Sequence, residues 1–174
     1  MKEILNHKEL ITQIKKLAAL LIKQYPGLEE VVFIGIQQGG VALADEMMKV
    51  LQAAEPSKKL LYGQLDITFY RDDIRQELLA PDTMNIPFSI ENKNVVLIDD
   101  VLFTGRTIKA ALDVLLDYGR PAKVELCVLA DRREHRQFPI QADYVGMNLP
   151  TNKKDKVKLV TGEDGNKHVI LLSA

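Results

Sequence analysis

Hydrophobic residues follow two different patterns along the chain. In three segments they recur every three or four residues, as Leu10, Ile14 and Leu17 do, which predicts amphipathic helices. These helices are predicted at residues 8–24, 41–51 and 107–118. Between them lie short β-branched runs that are apolar at consecutive positions or alternate with polar residues, as strands do. These strands are predicted at residues 31–36, 60–70, 95–98 and 124–130.

The order of these elements alternates between strand and helix, which predicts an α/β fold with a parallel sheet and right-handed crossovers. After residue 131 the pattern changes to short strands at residues 144–146, 156–161 and 168–172. We interpret residues 131–174 as a small subdomain within a single domain that spans residues 1–174. Residues 74–94 show no sustained period, and a loop of that length predicts a functional lid.

The chain has 174 residues, of which 47% are hydrophobic and 27% charged, and its formal net charge is -1. Such values are typical of a globular domain. With so little net charge, any contact with phosphate or RNA depends on local clusters of cations. The single cysteine, Cys127, excludes an intramolecular disulfide framework and favours a reducing compartment. Since no apolar stretch approaches the ~20 residues of a membrane span, we expect a cytoplasmic protein without a membrane segment.

Residues suited to sugar and phosphate chemistry follow the predicted strand at 95–98. Asp99 and Asp100 stand at its carboxyl end, where ligands bind in open α/β sheets. Two adjacent carboxylates can accept hydrogen bonds from a sugar diol and hold a hard cation such as Mg²⁺. Thr104 and Gly105 come directly before a helix, whose free N–H groups favour an anion. The sequence therefore predicts a ribose phosphate site, and it lacks both the Gly-Lys-Ser/Thr and the Gly-x-Gly-x-x-Gly signatures of other nucleotide sites.

Residues 95–107 resemble the phosphoribosyl pyrophosphate (PRPP) signature of the type I phosphoribosyltransferases. The chain is similar in particular to the bacterial pyrimidine-operon attenuation regulators, a branch that doubles as uracil phosphoribosyltransferase. The further matching positions are residues 65–73, 118–121 and 139–146, with Asn148, Pro150 and Thr151. The resemblance implies a central parallel sheet flanked by helices, with a small hood subdomain. It also implies Mg²⁺-dependent formation of UMP from uracil and PRPP, with release of pyrophosphate.

The resemblance assigns a role to several groups of residues. The implied PRPP-binding residues are Asp99, Asp100, Val101, Thr104, Gly105, Arg106 and Thr107. Asp99 and Asp100 would contact the ribose hydroxyls and hold Mg²⁺ through the diol or water. The implied pyrophosphate loop consists of Gln37, Gln38, Gly39 and Gly40. The implied mobile loop contains Tyr70, Arg71 and Asp72, and the implied catalytic residues are Arg71, Asp99 and Asp100. The implied base-binding residues are Phe103, Asp131 and Ile140.

Three alternatives for function follow from the details of these motifs. Phe103 cannot accept a hydrogen bond from a purine N7, which favours a pyrimidine substrate. The Gln-Gly-Gly spacing of the pyrophosphate loop favours a 6-oxopurine phosphoribosyltransferase instead. That loop carries no cation, whereas this branch usually has Lys and Arg there, so a nucleotide-sensing RNA-binding regulator with weak or no catalysis is a further hypothesis.

The partners implied by the resemblance are PRPP, a nucleobase and a second copy of the chain in a homodimer or larger assembly. RNA is a further candidate partner, because positive residues cluster in three places. The clusters are Lys15 with Lys16, residues 132–136 and residues 153–158.

Overall fold

The computed structural model describes residues 1–67 and 84–173. Nine strands are present in this part of the chain. They are β1 (Lys2–Leu5), β2 (Val31–Ile36), β3 (Leu61–Leu65), β4 (Met84–Asn85), β5 (Asn94–Leu102), β6 (Lys123–Asp131), β7 (Tyr144–Asn148), β8 (Lys156–Thr161) and β9 (Lys167–Leu172). Its three α-helices are α1 (His7–Gln24), α2 (Gly39–Ala54) and α3 (Arg106–Tyr118).

Six strands form the central sheet in the order β4-β3-β2-β5-β6-β7. The five strands from β3 to β7 in that order run parallel, and β4 pairs antiparallel at the edge. The predicted parallel α/β sheet is therefore confirmed. Because the strands are parallel, the carboxyl ends of β2, β5 and β6 meet at one edge of the sheet.

Helices cover both faces of the sheet, which explains the consecutive apolar residues in its strands. On β2, Val31 and Phe33 pack with α1 and α2 in one core. Val32 and Ile34 point to the other face and pack in a second core with α3. The start of α1 is fixed by a capping box, in which Asn6 and Glu9 exchange hydrogen bonds between side chain and backbone.

A second, antiparallel sheet has the order β1-β9-β8. Val157 and Leu159 of β8 and Val169 of β9 pack against the core that contains α1 and α2. No strand was predicted at β1, because four residues of which only Leu5 is buried carry little signal until β9 supplies a partner. Conversely, β7 was expected in the appended subdomain, yet it pairs parallel with β6 and completes the central sheet.

The predicted second strand is shorter than its pattern suggests. It was expected at residues 60–70, whereas β3 ends at Leu65, and residues 68–70 lie outside the described part of the chain. Among the helices that the structure describes, none has the length and apolarity needed to cross a bilayer.

A buried glutamate at the other end of the sheet joins α1 to β6 and β7. Glu125 accepts hydrogen bonds from the hydroxyls of Tyr25 and of Tyr144, the latter at 2.9 Å, and from the ammonium of Lys123 at 2.5 Å. Burial by itself raises the pKa of Glu125, but these three donors outweigh burial and lower it. The carboxylate is thus more stable in the folded protein than in the unfolded chain.

We expect Glu125→Gln to lower the free energy of unfolding by about 1–3 kcal/mol at pH 7, since three donors lose a charged acceptor. The folded pKa of Glu125 is depressed, so its stabilisation is complete above the unfolded value of about 4.3 and is lost as pH falls through the folded value. Chemical denaturation at several pH values should therefore show the two proteins converging in acid. Glu163→Gln, at an exposed turn, is the control, and a pH-independent difference would contradict this account.

Candidate active site

A cavity of about 540 Å³ opens at the carboxyl ends of β2 and β5. It brings together segments that the sequence analysis assigned to one site. The predicted residues that line it are Gln37, Gln38, Gly39, Asp99, Asp100, Val101, Phe103, Thr104, Gly105 and Thr107. The further lining residues are Ile67, Leu102, Ile108, Arg132, Asp155, Lys156, Val157 and Lys158.

Asp99 and Asp100 lie near the carboxyl end of β5, which continues to Leu102 and not only to residue 98 as predicted. Asp99 is only 6% exposed, and its Oδ1 accepts a hydrogen bond from the backbone N–H of Asp100 at 3.0 Å. Asp100 Oδ1 in turn accepts from the N–H of Val101 at 3.0 Å. Burial raises the pKa of Asp100, while hydrogen bonds from the Asp99 side chain and from the Leu159 backbone partly oppose that shift. The backbone thus holds both side chains at the wall of the cavity, where they can act as hydrogen-bond acceptors.

The turn between β5 and α3 is built for an anion. Gly105 has φ +92°, a left-handed conformation that glycine adopts without strain, and α3 begins at the next residue. Gly105, at the N-cap, has no side chain to cap the helix, and the N–H of Arg106 donates to Thr104 Oγ1 at 3.3 Å. Thr104, Gly105 and Thr107 line the cavity at the start of α3, where backbone N–H groups and threonine hydroxyls form a set of donors suited to phosphate.

A segment after β6 closes the back of this turn. The N–H groups of Gln137 and Phe138 donate to the carbonyl of Thr104 at 2.9 and 3.2 Å. A Cβ on Gly105 would lie 3.3 Å from Cβ of Phe138, so the segment packs directly on the glycine. Arg106 does not line the cavity, because its guanidinium lies over the ring of Phe138, 5.2 Å from the centroid.

The segment from Gln37 to Gly40, predicted as a loop, includes the first two residues of α2 and lies directly on β5. A Cβ on Gly39 would overlap the carboxylate of Asp100, and one on Gly40 would overlap the carbonyl oxygen of Ile98. Glycine is therefore required at both positions by close approach rather than by backbone conformation. The loop is tied to β3 by the N–H of Gln37, which donates to the Leu65 carbonyl at 2.9 Å. Gly40 is buried and does not line the cavity.

On the other side of the carboxylates, Phe103 is packed against cationic and aromatic groups. The guanidinium of Arg132 lies 4.0 Å from the centroid of the Phe103 ring, and the His135 ring meets it edge-on at 5.3 Å. Arg132 is only 3% exposed and donates to Thr151 Oγ1 at 2.6 Å and to the Asn152 carbonyl at 2.9 Å. These contacts fix the orientation of Phe103 in the cavity wall.

Asp131 and Ile140, predicted to contact a base, do not line this cavity. Asp131 is buried beneath it and pairs with Arg136, and with Arg133 at 3.4 Å. Arg136 also donates to the Phe103 carbonyl, so Asp131 acts on the Phe103 backbone through that arginine. Ile140 lies beside Gly105 and lines a separate cavity of about 210 Å³. The predicted Tyr70, Arg71 and Asp72 lie outside the described residues.

Most side chains of the basic cluster at residues 132–136 form hydrogen bonds or ion pairs within the protein. Arg132 and Arg136 make the contacts described above, and His135 Nε2 lies 2.8 Å from the carbonyl of Thr151. Lys156 and Lys158, from the second basic cluster, line the cavity. Sequence reasoning treated both clusters as candidate RNA contacts and placed residues 132–136 in the implied hood over the base. The sequence did contain a signal for these two lysines: residues two positions apart in a strand lie on the same face.

A family model described as "Phosphoribosyl transferase domain" matches residues 1–161. The chain belongs to the phosphoribosyltransferase family. It is 44% identical to "Bifunctional protein PyrR" of Picosynechococcus sp., over 98% of this chain and 96% of that protein. It is 45% identical to the protein of the same name from Geobacter sp. strain M21, over 90% of this chain and 89% of that one.

Solved structures support the same family fold. A hypoxanthine phosphoribosyltransferase from Staphylococcus aureus superimposes with a TM-score of 0.69 at 27% identity, and covers 87% of this chain and 79% of its own. The predicted type I phosphoribosyltransferase fold and the resemblance to the PyrR branch are therefore confirmed.

We expect Arg132→Met to lower the free energy of unfolding by about 2–4 kcal/mol, since it removes a buried charge from its hydrogen-bond acceptors and from Phe103. The matched control is Arg133→Met, because the Arg133 side chain is 64% exposed and lies 3.4 Å from Asp131, which keeps its closer partner Arg136 in this variant. Chemical denaturation of both variants measures the difference. Equal losses would show that Arg132 does not hold the wall of the cavity.

Proposed function

We propose that this protein is a PRPP-dependent uracil phosphoribosyltransferase that forms UMP and releases pyrophosphate. One observation carries the proposal. The paired carboxylates of Asp99 and Asp100, the phosphate turn at the start of α3 and the Phe103 side chain line the same cavity. Together they offer acceptors for ribose hydroxyls, donors for a 5′-phosphate and a stacking surface for a base, which are the three parts of the product nucleotide.

In this proposal each wall binds one part of the substrate. Asp99 and Asp100 accept hydrogen bonds from the 2′- and 3′-hydroxyls of the ribose. Residues 104–107 bind the 5′-phosphate through backbone N–H groups and threonine hydroxyls. The loop at residues 37–40 lies beside the pyrophosphate, and Tyr70, Arg71 and Asp72 are proposed to close over it.

The environment of Phe103 supports a pyrimidine as the base. Phe103 offers a stacking surface but no acceptor for a purine N7–H, and Arg132 and His135 hold the ring in place. A small base can be read instead by backbone groups of the segment that follows β6. Asp131 supports this wall through Arg136, and we assign it a positioning role.

The donor set fits Mg²⁺ carried by the substrate. Among the described residues no group of three acidic, histidine or cysteine side chains could form a complete protein site. Two carboxylates with the oxygens of PRPP suit an ion that keeps waters and substrate oxygens as ligands. Asp99 and Asp100 would hold the ion through the ribose diol or through water. When bound, Mg²⁺ supplies positive charge to the leaving pyrophosphate.

The reaction exchanges one bond at C1′ of the ribose for another. The bond from C1′ to the pyrophosphate oxygen breaks, pyrophosphate leaves with the electron pair, and uracil N1 bonds to C1′ with inversion. The N1 proton passes to solvent. Little acid–base chemistry is required of the chain, which instead fixes the ribose and phosphate, excludes water and stabilises the oxocarbenium-like transition state.

A parallel assay of pyrophosphate release from PRPP and Mg²⁺ should give turnover with uracil and none with hypoxanthine, guanine or no base. Turnover with a purine would overturn the assignment of Phe103 and favour the 6-oxopurine alternative. PRPP binding without release with any base would favour the RNA-binding regulator. The name of the relatives, "Bifunctional protein PyrR", states that they have two functions.

Neutralising either carboxylate should weaken PRPP binding, and for Asp100 it should do so without lowering the unfolding temperature. We expect Asp99→Asn and Asp100→Asn to weaken PRPP binding by about 10–100-fold, because each loses a charge-assisted hydrogen bond. Since burial raises the pKa of Asp100, ionisation of this side chain disfavours folding, and Asp100→Asn should unfold at or above the wild-type temperature. Calorimetry with PRPP and thermal melting measure both effects.

The control for these variants is Asp113→Asn, on an exposed face of α3 where Asp113 pairs with Lys109. It should leave PRPP binding unchanged. Wild-type affinity in the Asp99 and Asp100 variants would remove the common basis of all the functions considered above.

Self-association is part of the proposal at the level of a homodimer or larger assembly. Two large apolar side chains, Leu116 and Tyr118, are exposed at the end of α3. Their exposure supports an interface on that helix.

A further inference from the structure

The charged side chains that line the cavity are balanced in sign. Three are acidic and three are basic, namely Asp99, Asp100, Asp155, Arg132, Lys156 and Lys158. The substrate of the proposed reaction carries a 5′-phosphate and a pyrophosphate, and the N-terminus of α3 serves only the first. Mg²⁺ and Arg71 are proposed above to supply part of the positive charge at the pyrophosphate, and cations in the cavity wall would supply more.

The loop beside the proposed pyrophosphate site offers no cation. Gln37 and Gln38 are neutral, and Gly39 has no room for any side chain because a Cβ there would overlap the Asp100 carboxylate. A longer cationic residue at position 39 would displace either the loop or the carboxylate. The close packing of the loop on β5 thus excludes the position nearest to Asp100 as a source of charge.

Arg132 is already committed to other groups. It donates to Thr151 and to the carbonyl of Asn152, and its guanidinium lies on the ring of Phe103. Asp155, whose carboxylate accepts from the N–H of Asn152 at 2.9 Å, adds a nearby negative charge. The positive charge of Arg132 is therefore already balanced by groups of the protein before any substrate binds.

The two lysines of β8 are in a different position. Val157 and Leu159 face the core, whereas Lys156 and Lys158 alternate with them and are exposed. The backbone of Leu159 lies close enough to the Asp100 carboxylate to lower its pKa, and Lys156, Val157 and Lys158 line the cavity, so this stretch of β8 forms the part of the wall near Asp100. Within the described part of the chain neither ammonium group forms an ion pair. Two uncompensated cations thus line the cavity where the loop has none.

We propose that Lys156 and Lys158 bind the pyrophosphate group of PRPP and the pyrophosphate product, supplying from β8 the positive charge that residues 37–40 lack. This proposal rests on the phosphoribosyltransferase activity proposed above. A flexible lysine suits the role because its ammonium is a compact point charge that can follow the phosphates as the C1′–O bond lengthens.

The test compares Lys156→Gln and Lys158→Gln with the controls Lys153→Gln and Lys154→Gln. The control lysines are exposed in the turn before β8 and do not line the cavity. Titration calorimetry with inorganic pyrophosphate and Mg²⁺ should show about a tenfold loss of affinity for each β8 variant, as expected for a lost contact to a charged group, and no loss for the controls. Thermal melting of each variant confirms that it is folded.

Kinetics of the reverse reaction give a second readout. Each β8 variant should raise the KM for pyrophosphate while the KM for UMP stays within about twofold, because UMP contacts the other walls. Adding Gln37→Lys to either β8 variant should recover part of the affinity for pyrophosphate, since Gln37 lines the cavity and is exposed.

Equal losses in the β8 variants and the controls would overturn the proposal, since they would indicate only a general effect of surface charge. Undetectable binding of pyrophosphate by the wild type, or unchanged affinity in the β8 variants, would also overturn it. If the wild type forms no UMP from uracil and yet pyrophosphate binding depends on these two lysines, the assignment of the lysines stands and the proposed reaction falls.

Discussion

The Asp100 carboxylate is held at the meeting point of three segments that are far apart in the sequence. β5 carries it, Gly39 packs against it so closely that no side chain fits between them, and the backbone of Leu159 lies close enough to lower its pKa. The relative positions of the walls formed by β5, by residues 37–40 and by β8 depend on this contact. If the loop moved away from Asp100, the ribose and pyrophosphate subsites would separate, and if β8 moved, the cavity would lose its cover. Burial of a carboxylate costs folding energy, so its retention here is explained by binding rather than by stability.

The parts of the site that follow β5 could be predicted from the sequence because they are continuous in the chain. Asp99, Asp100 and residues 104–107 come in the order strand, acids, glycine turn and helix, and the physical role of each type is local. The parallel sheet was equally predictable, since consecutive apolar residues in β2, β5 and β6 require cover on both faces.

The walls contributed by other segments could not be predicted in the same way. Arg132 is identifiable as a basic residue from sequence, but its burial on Phe103 depends on the path of the chain between β6 and β7. Lys156 and Lys158 share one face of a strand, yet only the pairing of β8 with β9 and its position near Asp100 bring both lysines, with Val157 between them, to the cavity wall. The assignment of β7 to the central sheet also needed a long-range pairing that its short, mixed pattern does not specify.

The phosphate turn holds its proposed ligand with groups that do not titrate. Backbone N–H groups and threonine hydroxyls keep the same charge distribution across the physiological pH range, and Gly105 sets their direction through its backbone alone. Recognition of the 5′-phosphate therefore works as a fixed anchor whose strength follows the protonation of the phosphate and not that of the protein. A substrate bound at this end keeps its orientation when the protonation of other cavity residues, such as Asp100, changes.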